Sequence, residues 1–399
     1  MRLKIQAVVG FMTAGSLLLA ACGSSSTTAS SVTSAAGSAA SEVTSAAGSA
    51  ASGASSLVAS ATSAAGSGGA TTGKVGVILP DTKSSARWET ADRPFLEQAF
   101  KTAGVDYDIQ NANGDAAAMQ TIADQMIANG ATVLAIVNLD NASGAAIEKK
   151  AAAQGVQTID YDRLTLGGNA DYYVSFDNTA VGKLQGEGLD KCLGGGDKKI
   201  VYLDGSPDDS NATAFSAGAH SVLDAKKNYT VVAEQAVPKW DNQQAATIYE
   251  QIFTQQGGNI DGVLAANDGL GNAVISVNKK NNLKIPVTGQ DATVQGLQNI
   301  LTGDQCMTVY KAVKKEADAL SKVAIALANG EKPTTTGTVK DTTGNRDVQA
   351  ILETPEAITK ENVKAVVDDG YVKAADLCKA TDATVQAAIT AACTSLGIS

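Results

Sequence analysis

From residue 74 onward, short apolar runs alternate with segments of helical spacing, and this alternation constrains the fold more than any other feature. The apolar runs lie at 75–79, 133–137, 200–203, 262–266 and 285–288. Helical spacing follows them, as in Met119, Ile122 and Met126. Continuous apolar strands separated by helices are typical of parallel sheets covered on both faces. The sequence therefore predicts a doubly wound α/β body.

Residues 1–21 have the pattern of a secretory signal. A basic start precedes an apolar run shorter than the ~20 residues of a membrane span, and small residues precede Cys22. A cysteine directly after Leu-Ala-Ala resembles the bacterial lipoprotein signal. That resemblance implies an extracytoplasmic protein held on the cell membrane by a lipid on Cys22. The alternative is an ordinary signal peptide with a chance cysteine.

Residues 22–73 read as a flexible spacer. They are almost entirely Ser, Ala, Gly and Thr, and the segment 32–41 recurs unchanged at 43–52. Such a composition offers no bulky side chain to offset the entropy lost on ordering the backbone. We expect a tether between the membrane anchor and the α/β body, and its glycosylation stays open.

Composition excludes several classes of function. The net charge of −10 and the pI near 4.7 disfavour nucleic acid and anionic membrane surfaces as partners. His220 is the single histidine, which disfavours a metal site built from several histidines and a Ser-His-Asp catalytic triad. We therefore expect no metal, no cofactor and no enzymatic activity.

The body contains four cysteines and no C-x-x-C spacing, which leaves zinc and thioredoxin-like chemistry unsupported. In an exported protein disulfides are the default. Cys378 and Cys393 close a short loop and are the preferred pair. Cys192 and Cys306 either pair or remain thiols.

Polar residues collect where the predicted strands end, which is where ligands bind in doubly wound sheets. These segments are 160–163, 173–178, 204–211, 267–268, 289–291 and 310–311. They offer both hydrogen-bond acceptors and fixed cationic donors, as the hydroxyls of a sugar require. Trp88 and Trp240, the two tryptophans, lie at element ends, where they could stack on a pyranose ring.

Each of these residues also has a simpler structural explanation. Asp and Asn at strand-to-helix junctions commonly cap helices, so Asp177, Asn178, Asp209 and Asp268 taken singly are more simply N-caps. The adjacent carboxylates Asp208 and Asp209 could suggest a glycosidase, but neighbouring carboxylates in one loop are poorly placed to flank one bond.

As an ordered set, the motifs resemble the D-xylose-binding branch of the periplasmic monosaccharide-binding proteins of ABC importers. The resemblance rests on Arg87-Trp88, Tyr161-Asp162-Arg163, Gly205-Ser206-Pro207, Gly289-Gln290-Asp291 and Met307 to Lys311. It implies that a sugar is hydrogen-bonded and stacked by Arg87, Trp88, Asp162, Arg163, Asp209, Asn211, Trp240, Asn267, Asp291 and Lys311.

The resemblance also implies two α/β lobes joined by a three-stranded hinge, the type 1 periplasmic binding protein fold. We expect one lobe to comprise 74–163 with 291–310. The other would comprise 164–290 with 311–399, including a tail from Cys378 that lies outside the resemblance.

The lobes are expected to be joined near 162–163, 290–291 and 310–311, and to close on the ligand. Two positions depart from the family pattern: Ala312 replaces a usual proline, and 236–239 lacks a second tryptophan. The choice among xylose, glucose, galactose and arabinose therefore stays open.

The predicted function is a monomeric, lipid-anchored receptor that delivers a monosaccharide to the permease of an ABC transporter. A sugar sensor for a signalling partner differs only in partner, and an anchored glycosidase would need a proton-donating carboxyl across a cleft. A sugar-sensing repressor would need a basic helix-turn-helix where the signal and spacer lie.

Overall fold

The computed structural model describes residues 73–380 and 383–398. The predicted signal, Cys22 and all of the spacer except Gly73 lie outside the described residues. Among the described helices, none has the length and apolar character needed to cross a bilayer.

Strands and helices alternate along the body, as the sequence predicts. The strands are β1 (Lys74–Leu79), β2 (Tyr107–Asn111), β3 (Ala131–Ile136), β4 (Gln157–Tyr161), β5 (Tyr172–Phe176), β6 (Lys198–Asp204), β7 (Tyr229–Ala236), β8 (Gly262–Ala265), β9 (Thr308–Tyr310), β10 (Gly337–Asp341), β11 (Arg346–Glu353) and β12 (Glu356–Ile358). The helices are α1 (Arg93–Ala103), α2 (Ala116–Ala128), α3 (Asn141–Ala153), α4 (Asn178–Leu193), α5 (Ser210–Leu223), α6 (Asn242–Gln255), α7 (Asp268–Lys280), α8 (Val294–Thr302), α9 (Val313–Ala328), α10 (Lys364–Asp368), α11 (Ala374–Leu377) and α12 (Ala383–Ser395). A π-helical turn, Trp88–Asp92, precedes α1, and a 3-10 turn, Pro238–Trp240, precedes α6.

The strands form two main sheets. The first has the order β10-β11-β5-β4-β3-β1-β2 and is parallel except for β10. The second has the order β7-β6-β8, is parallel, and is extended by a bridge from Val263 to Val287. A short antiparallel pair joins β12 to β9. The α/β prediction with parallel sheets is confirmed.

The cores explain why the apolar runs are continuous. In β1 every residue after Lys74 is buried, and β8 is buried throughout, because helices cover both faces of these strands. One face of the first sheet is covered by a large apolar cluster that includes Phe100 and Leu320, and one face of the second by a cluster that includes Tyr249 and Leu270. Smaller clusters cover the opposite faces.

Strand pairing divides the chain differently from the predicted lobes. β5 pairs with β4, β11 pairs with β5, and α9 packs against α1 and β3, so all of these belong to the first lobe. Conversely, α8 packs against α7, and β9 packs against α4, so α8 and β9 belong to the second lobe. The chain therefore does not change lobe at the predicted boundaries 163/164 and 290/291. It does change lobe at 310/311, but the segments on its two sides belong to the opposite lobes from those predicted. The other crossings lie at Asp177 and at 354–355. The crossing points are set by strand pairing between distant segments, and ligand motifs at the strand ends do not mark them.

Two disulfides are present in the second lobe. Cys378 pairs with Cys393 as predicted, with Cα atoms 6.0 Å apart. Cys192 at the end of α4 pairs with Cys306 just before β9, with Cα atoms 6.3 Å apart. The second bond resolves the alternative that the sequence left open.

Candidate functional site

One cavity between the lobes is lined by all ten predicted ligand residues. Ser84, Ser85, Phe215 and Gln290 complete its wall. Its free volume is about 30 Å³, which is room for one or two water molecules between the side chains in this conformation. The predicted residues reach it from the carboxyl ends of strands in both sheets, as the doubly wound topology requires.

Arg87 is held by a buried carboxylate cluster that lies behind the cavity. Its Nε and Nη2 donate to the two carboxylate oxygens of Asp92 at 2.9 and 2.8 Å. Nη1 donates to Asp162 at 2.9 Å, and Nη2 also donates to Glu316 at 2.5 Å. Burial disfavours the charged guanidinium, but its acidic neighbours, Asp92 first, outweigh it and raise the pKa of Arg87 well above its ordinary value. These contacts use four donor directions and leave one Nη1 hydrogen for a ligand.

The backbone of Asp162 explains how its side chain reaches the cavity. Its φ of +61° lies in the left-handed region, which non-glycine residues rarely adopt. Its carbonyl oxygen accepts from Ser175 Oγ at 2.7 Å, Tyr173 Oη at 3.1 Å and Asn211 Nδ2 at 2.9 Å. These bonds hold the turn after β4 in an unfavourable conformation that sequence patterns do not reveal.

The charge of Asp162 is stabilised by three cations. Burial alone would raise the pKa of this carboxyl, but Lys311, Arg87 and Arg163 together hold it below its usual value. Asp162 is thus a carboxylate acceptor at the floor of the cavity.

Arg163 and Asp209 form an ion pair across the two lobes, with 2.9 Å between Nε and Oδ2. The Nε–H of Arg163 is not directed at this oxygen and forms no hydrogen bond with it, so the attraction between the two groups is purely electrostatic. Nη1 of Arg163 donates to the Asn138 carbonyl at 3.0 Å. Burial raises the pKa of Asp209, partly offset by Arg163.

Trp240 is placed by a strained turn. Both Lys239 and Trp240 have left-handed φ values, +56° and +55°. The Lys239 amide donates to Ser206 Oγ at 3.0 Å, and Trp240 Nε1 donates to Asp209 Oδ2 at 3.1 Å. Gly205 makes the arrangement possible, because any Cβ there would lie within 3.0 Å of the indole ring.

Trp88 is buried beside two guanidinium groups. The Cζ atoms of Arg87 and Arg163 lie 4.5 and 5.8 Å from its ring centroid, and Nε1 donates to Ser84 Oγ at 3.1 Å. Its π-electrons therefore already contribute to holding the cations of the site. Its stacking on a sugar stays a prediction.

Lys311 lies between two carboxylates and two aromatic rings. Its Nζ is 3.7 Å from both Asp162 Oδ2 and Asp291 Oδ1, which exceeds hydrogen-bond length. The ring centroids of Phe215 and Phe176 are 5.8 and 6.0 Å away. The ammonium is therefore fixed in position by charge while its donors can turn toward a ligand.

The capping explanation is correct for some strand-end residues and incomplete for others. Asp177 caps α4 and does not line the cavity. Asp209 and Asn267 cap α5 and α7 and also line it. Asp268 is not a cap: buried, it accepts from Thr308 and other donors, and burial raises its pKa to about 7.

Six residues in or behind the cavity wall were not among the predicted ligands: Ser84, Ser85, Phe215, Gln290, Asp92 and Glu316. Phe215 lies four residues after Asn211 on α5, and that helical spacing could have identified it. Gln290 directly precedes Asp291, and its buried Oε1 has no hydrogen-bond partner among the described residues. Glu316 holds Arg87 from 229 residues away, so no local signal marks it, whereas Asp92 lies in the π-helical turn that directly follows Arg87.

The charges around the cavity balance. The cations Arg87, Arg163 and Lys311 face the carboxylates Asp162, Asp209 and Asp291. A balanced ring of fixed donors and acceptors suits a neutral ligand with many hydroxyl groups. The described residues contain no cluster of side chains suited to holding a metal ion.

Comparison with known proteins agrees with this geometry. The family model described as periplasmic binding protein domain matches residues 75–332. The chain belongs to this family. It is 32% identical over 311 residues to the D-xylose-binding periplasmic protein of Escherichia coli, covering 76% of this chain and 92% of that protein. It is 33% identical to the multiple sugar-binding periplasmic receptor ChvE of Rhizobium radiobacter, covering 77% and 93%.

A solved structure shares the fold. The carbohydrate transporter solute binding protein of Chloroflexus aurantiacus, in complex with D-glucose, is 30% identical and superimposes with a TM-score of 0.70. The match covers 76% of this chain and 97% of that one. These relatives are sugar-binding transport proteins and not enzymes, which agrees with the prediction that this chain has no enzymatic activity.

Proposed function

We propose that this protein binds one free aldopyranose between its lobes and passes it to the permease of an ABC transporter. The observation that carries the proposal is the small cavity in which three fixed cations and three carboxylates alternate beside two tryptophans. The relatives support the ligand class, since their names state xylose, multiple sugars and glucose.

The proposed contacts divide by chemistry. The carboxylates of Asp162, Asp209 and Asp291 accept hydroxyl protons, while Arg87, Arg163, Lys311 and Asn267 donate to hydroxyl oxygens. Asn211 is largely engaged within the protein, donating to Asp162 and accepting from Asn178 at 2.7 Å. Its role is therefore mainly to orient Asp162.

Titration calorimetry of the body from Gly73 tests the proposal, using xylose, glucose, galactose, arabinose and ribose. We expect binding without turnover and a clear preference, because each polar group left unpaired by a wrong epimer costs roughly 1–3 kcal/mol. No heat with any sugar, or release of product from a glycoside, would contradict the receptor proposal.

The proposed location is the outer face of the cell membrane, with the lipid on Cys22 as anchor and the protein a monomer. Cys22→Ala in the full chain should move the protein from the membrane fraction to the soluble fraction. If the unmodified protein and the Cys22→Ala variant are both recovered in the membrane fraction, the lipid-anchor proposal is contradicted, whereas the sugar-binding proposal is not affected. A gene neighbourhood lacking a permease would favour the alternative of a sugar sensor.

A further inference from the structure

The main chain around Asp291 is strained. Asp291 and Ala292 both have left-handed φ values, +94° and +48°. Neither is glycine, and such residues keep this conformation only where surrounding contacts enforce it. The Asp291 amide donates to the Val309 carbonyl at 2.8 Å, and the Ala292 amide to Thr308 Oγ1 at 3.2 Å. Helix α8 begins directly afterwards, at Val294.

The end of the chain packs on this helix. We name residues 369–380 and 383–398 the C-terminal clamp. Helices α11 and α12 of the clamp both contact α8. Gln298 of α8 donates Nε2 to three main-chain carbonyls within 376–379, at 3.0 to 3.3 Å. The disulfide from Cys378 to Cys393 joins that loop to α12.

The clamp also reaches the two residues that flank the site loop. Ala292 is fully buried in the same apolar cluster as Ile389 and Cys393 of the clamp. On the other side, Tyr310 donates its hydroxyl to Asp369 at 2.5 Å, and its ring lies 5.3 Å from that of Tyr371. The clamp thus contacts Tyr310, the residue before Lys311, and shares an apolar core with Ala292, the residue after Asp291.

Tyr371 of the clamp is partly buried against the apolar cluster that contains Ala292, and its ring lies beside that of Tyr310. The clamp lies beyond the part of the chain that matches the family model, which ends at residue 332.

We infer that the C-terminal clamp is a positioning element: it holds α8 and the strained Asp291–Ala292 turn so that the Asp291 carboxylate faces the ligand. The inference rests on the proposed function, because it requires Asp291 to contact bound sugar. The disulfide restricts the motion of the clamp, and the hydrogen bonds of Gln298 join α8 to the restricted loop.

A double-mutant cycle tests the inference. The Kd values for D-xylose and D-glucose are measured by titration calorimetry for the full-length protein, for Cys378→Ser/Cys393→Ser, for Asp291→Asn, and for the three changes together. We expect loss of the disulfide to weaken binding roughly tenfold when Asp291 is present and by less than about twofold in the Asp291→Asn background. Gln298→Met, which keeps the volume and removes the donor, should act in the same direction.

Removal of the other disulfide is the matched control. Cys192→Ser/Cys306→Ser opens a 114-residue separation, so it should lower the melting temperature at least as much. Its effect on Kd should be the same when Asp291 is present and in the Asp291→Asn background. Equal effects of the clamp disulfide in both backgrounds, or an unchanged Kd, would overturn the inference. Absence of sugar binding by the unmodified protein would instead contradict the proposed function.

Discussion

Gly205→Ala tests how the second tryptophan is placed. A Cβ at residue 205 would meet the indole ring of Trp240 within 3.0 Å. The ring is held on other sides by Asp209 at 3.1 Å and by the edge of Phe215, whose centroid is 6.4 Å away. It can therefore relieve the overlap only by moving toward the cavity or by shifting the end of β6.

The expected change in the sugar Kd of Gly205→Ala follows from the cost of overpacking a core. One added methyl in a well-packed site costs about 1–3 kcal/mol. If the free protein relaxes by moving the ring into the cavity, sugar binding must push it back. The Kd should then rise by roughly 5- to 150-fold, which is the same free energy expressed as an equilibrium constant.

Calorimetry measures the Kd, and fluorescence follows the ring. Because Trp88 and Trp240 are the two tryptophans of the chain, a Trp88→Phe background reports on Trp240 alone. Gly337→Ala is the control, since a Cβ at that position has no atom within 4 Å. An unchanged Kd together with an unchanged Trp240 spectrum would refute the argument that Gly205 makes room for the ring.

Two further predictions concern protons and motion. Burial raises the pKa of Glu316 to about 8 from 4.5. Between these two pH values the folded state binds more protons than the unfolded state. The contribution of Glu316 to the free energy of unfolding is therefore fully present below pH 4.5 and is lost as the pH rises through 8. Glu316→Gln should flatten that decline in urea denaturation midpoints measured from pH 5 to 8, and a slope identical to that of the unmodified protein would contradict a neutral Glu316. Sugar contacts from both lobes should favour a closed form, so the radius of gyration of the body from Gly73 should fall with saturating sugar; superimposable scattering curves would remove closure and leave binding intact.

Much of this protein was determined by local sequence patterns. The apolar runs predicted the strands because a strand buried on both faces needs apolar residues in succession, and this property is visible within a few positions. The region of the cavity could be predicted because the carboxyl ends of parallel strands meet at one edge, and the resemblance to the monosaccharide-binding proteins supplied the ten ligand residues. Phe215 fits the same reasoning through its helical spacing from Asn211.

Tertiary structure decided the features that depend on pairing between distant segments. Whether β5 and α9 join the first lobe is set by their neighbours β4 and α1, and no pattern within those segments records it. For the same reason Glu316, 229 residues from Arg87, could not be recognised as its partner.

The strained turns belong to the same category. Left-handed backbone at Asp162, Trp240 and Asp291 is unfavourable in isolation and exists only because surrounding contacts enforce it. Local sequence therefore determined which residues could meet at the cavity. The packing of the whole body decided how each one is held there, because strain and burial are properties of the assembled fold.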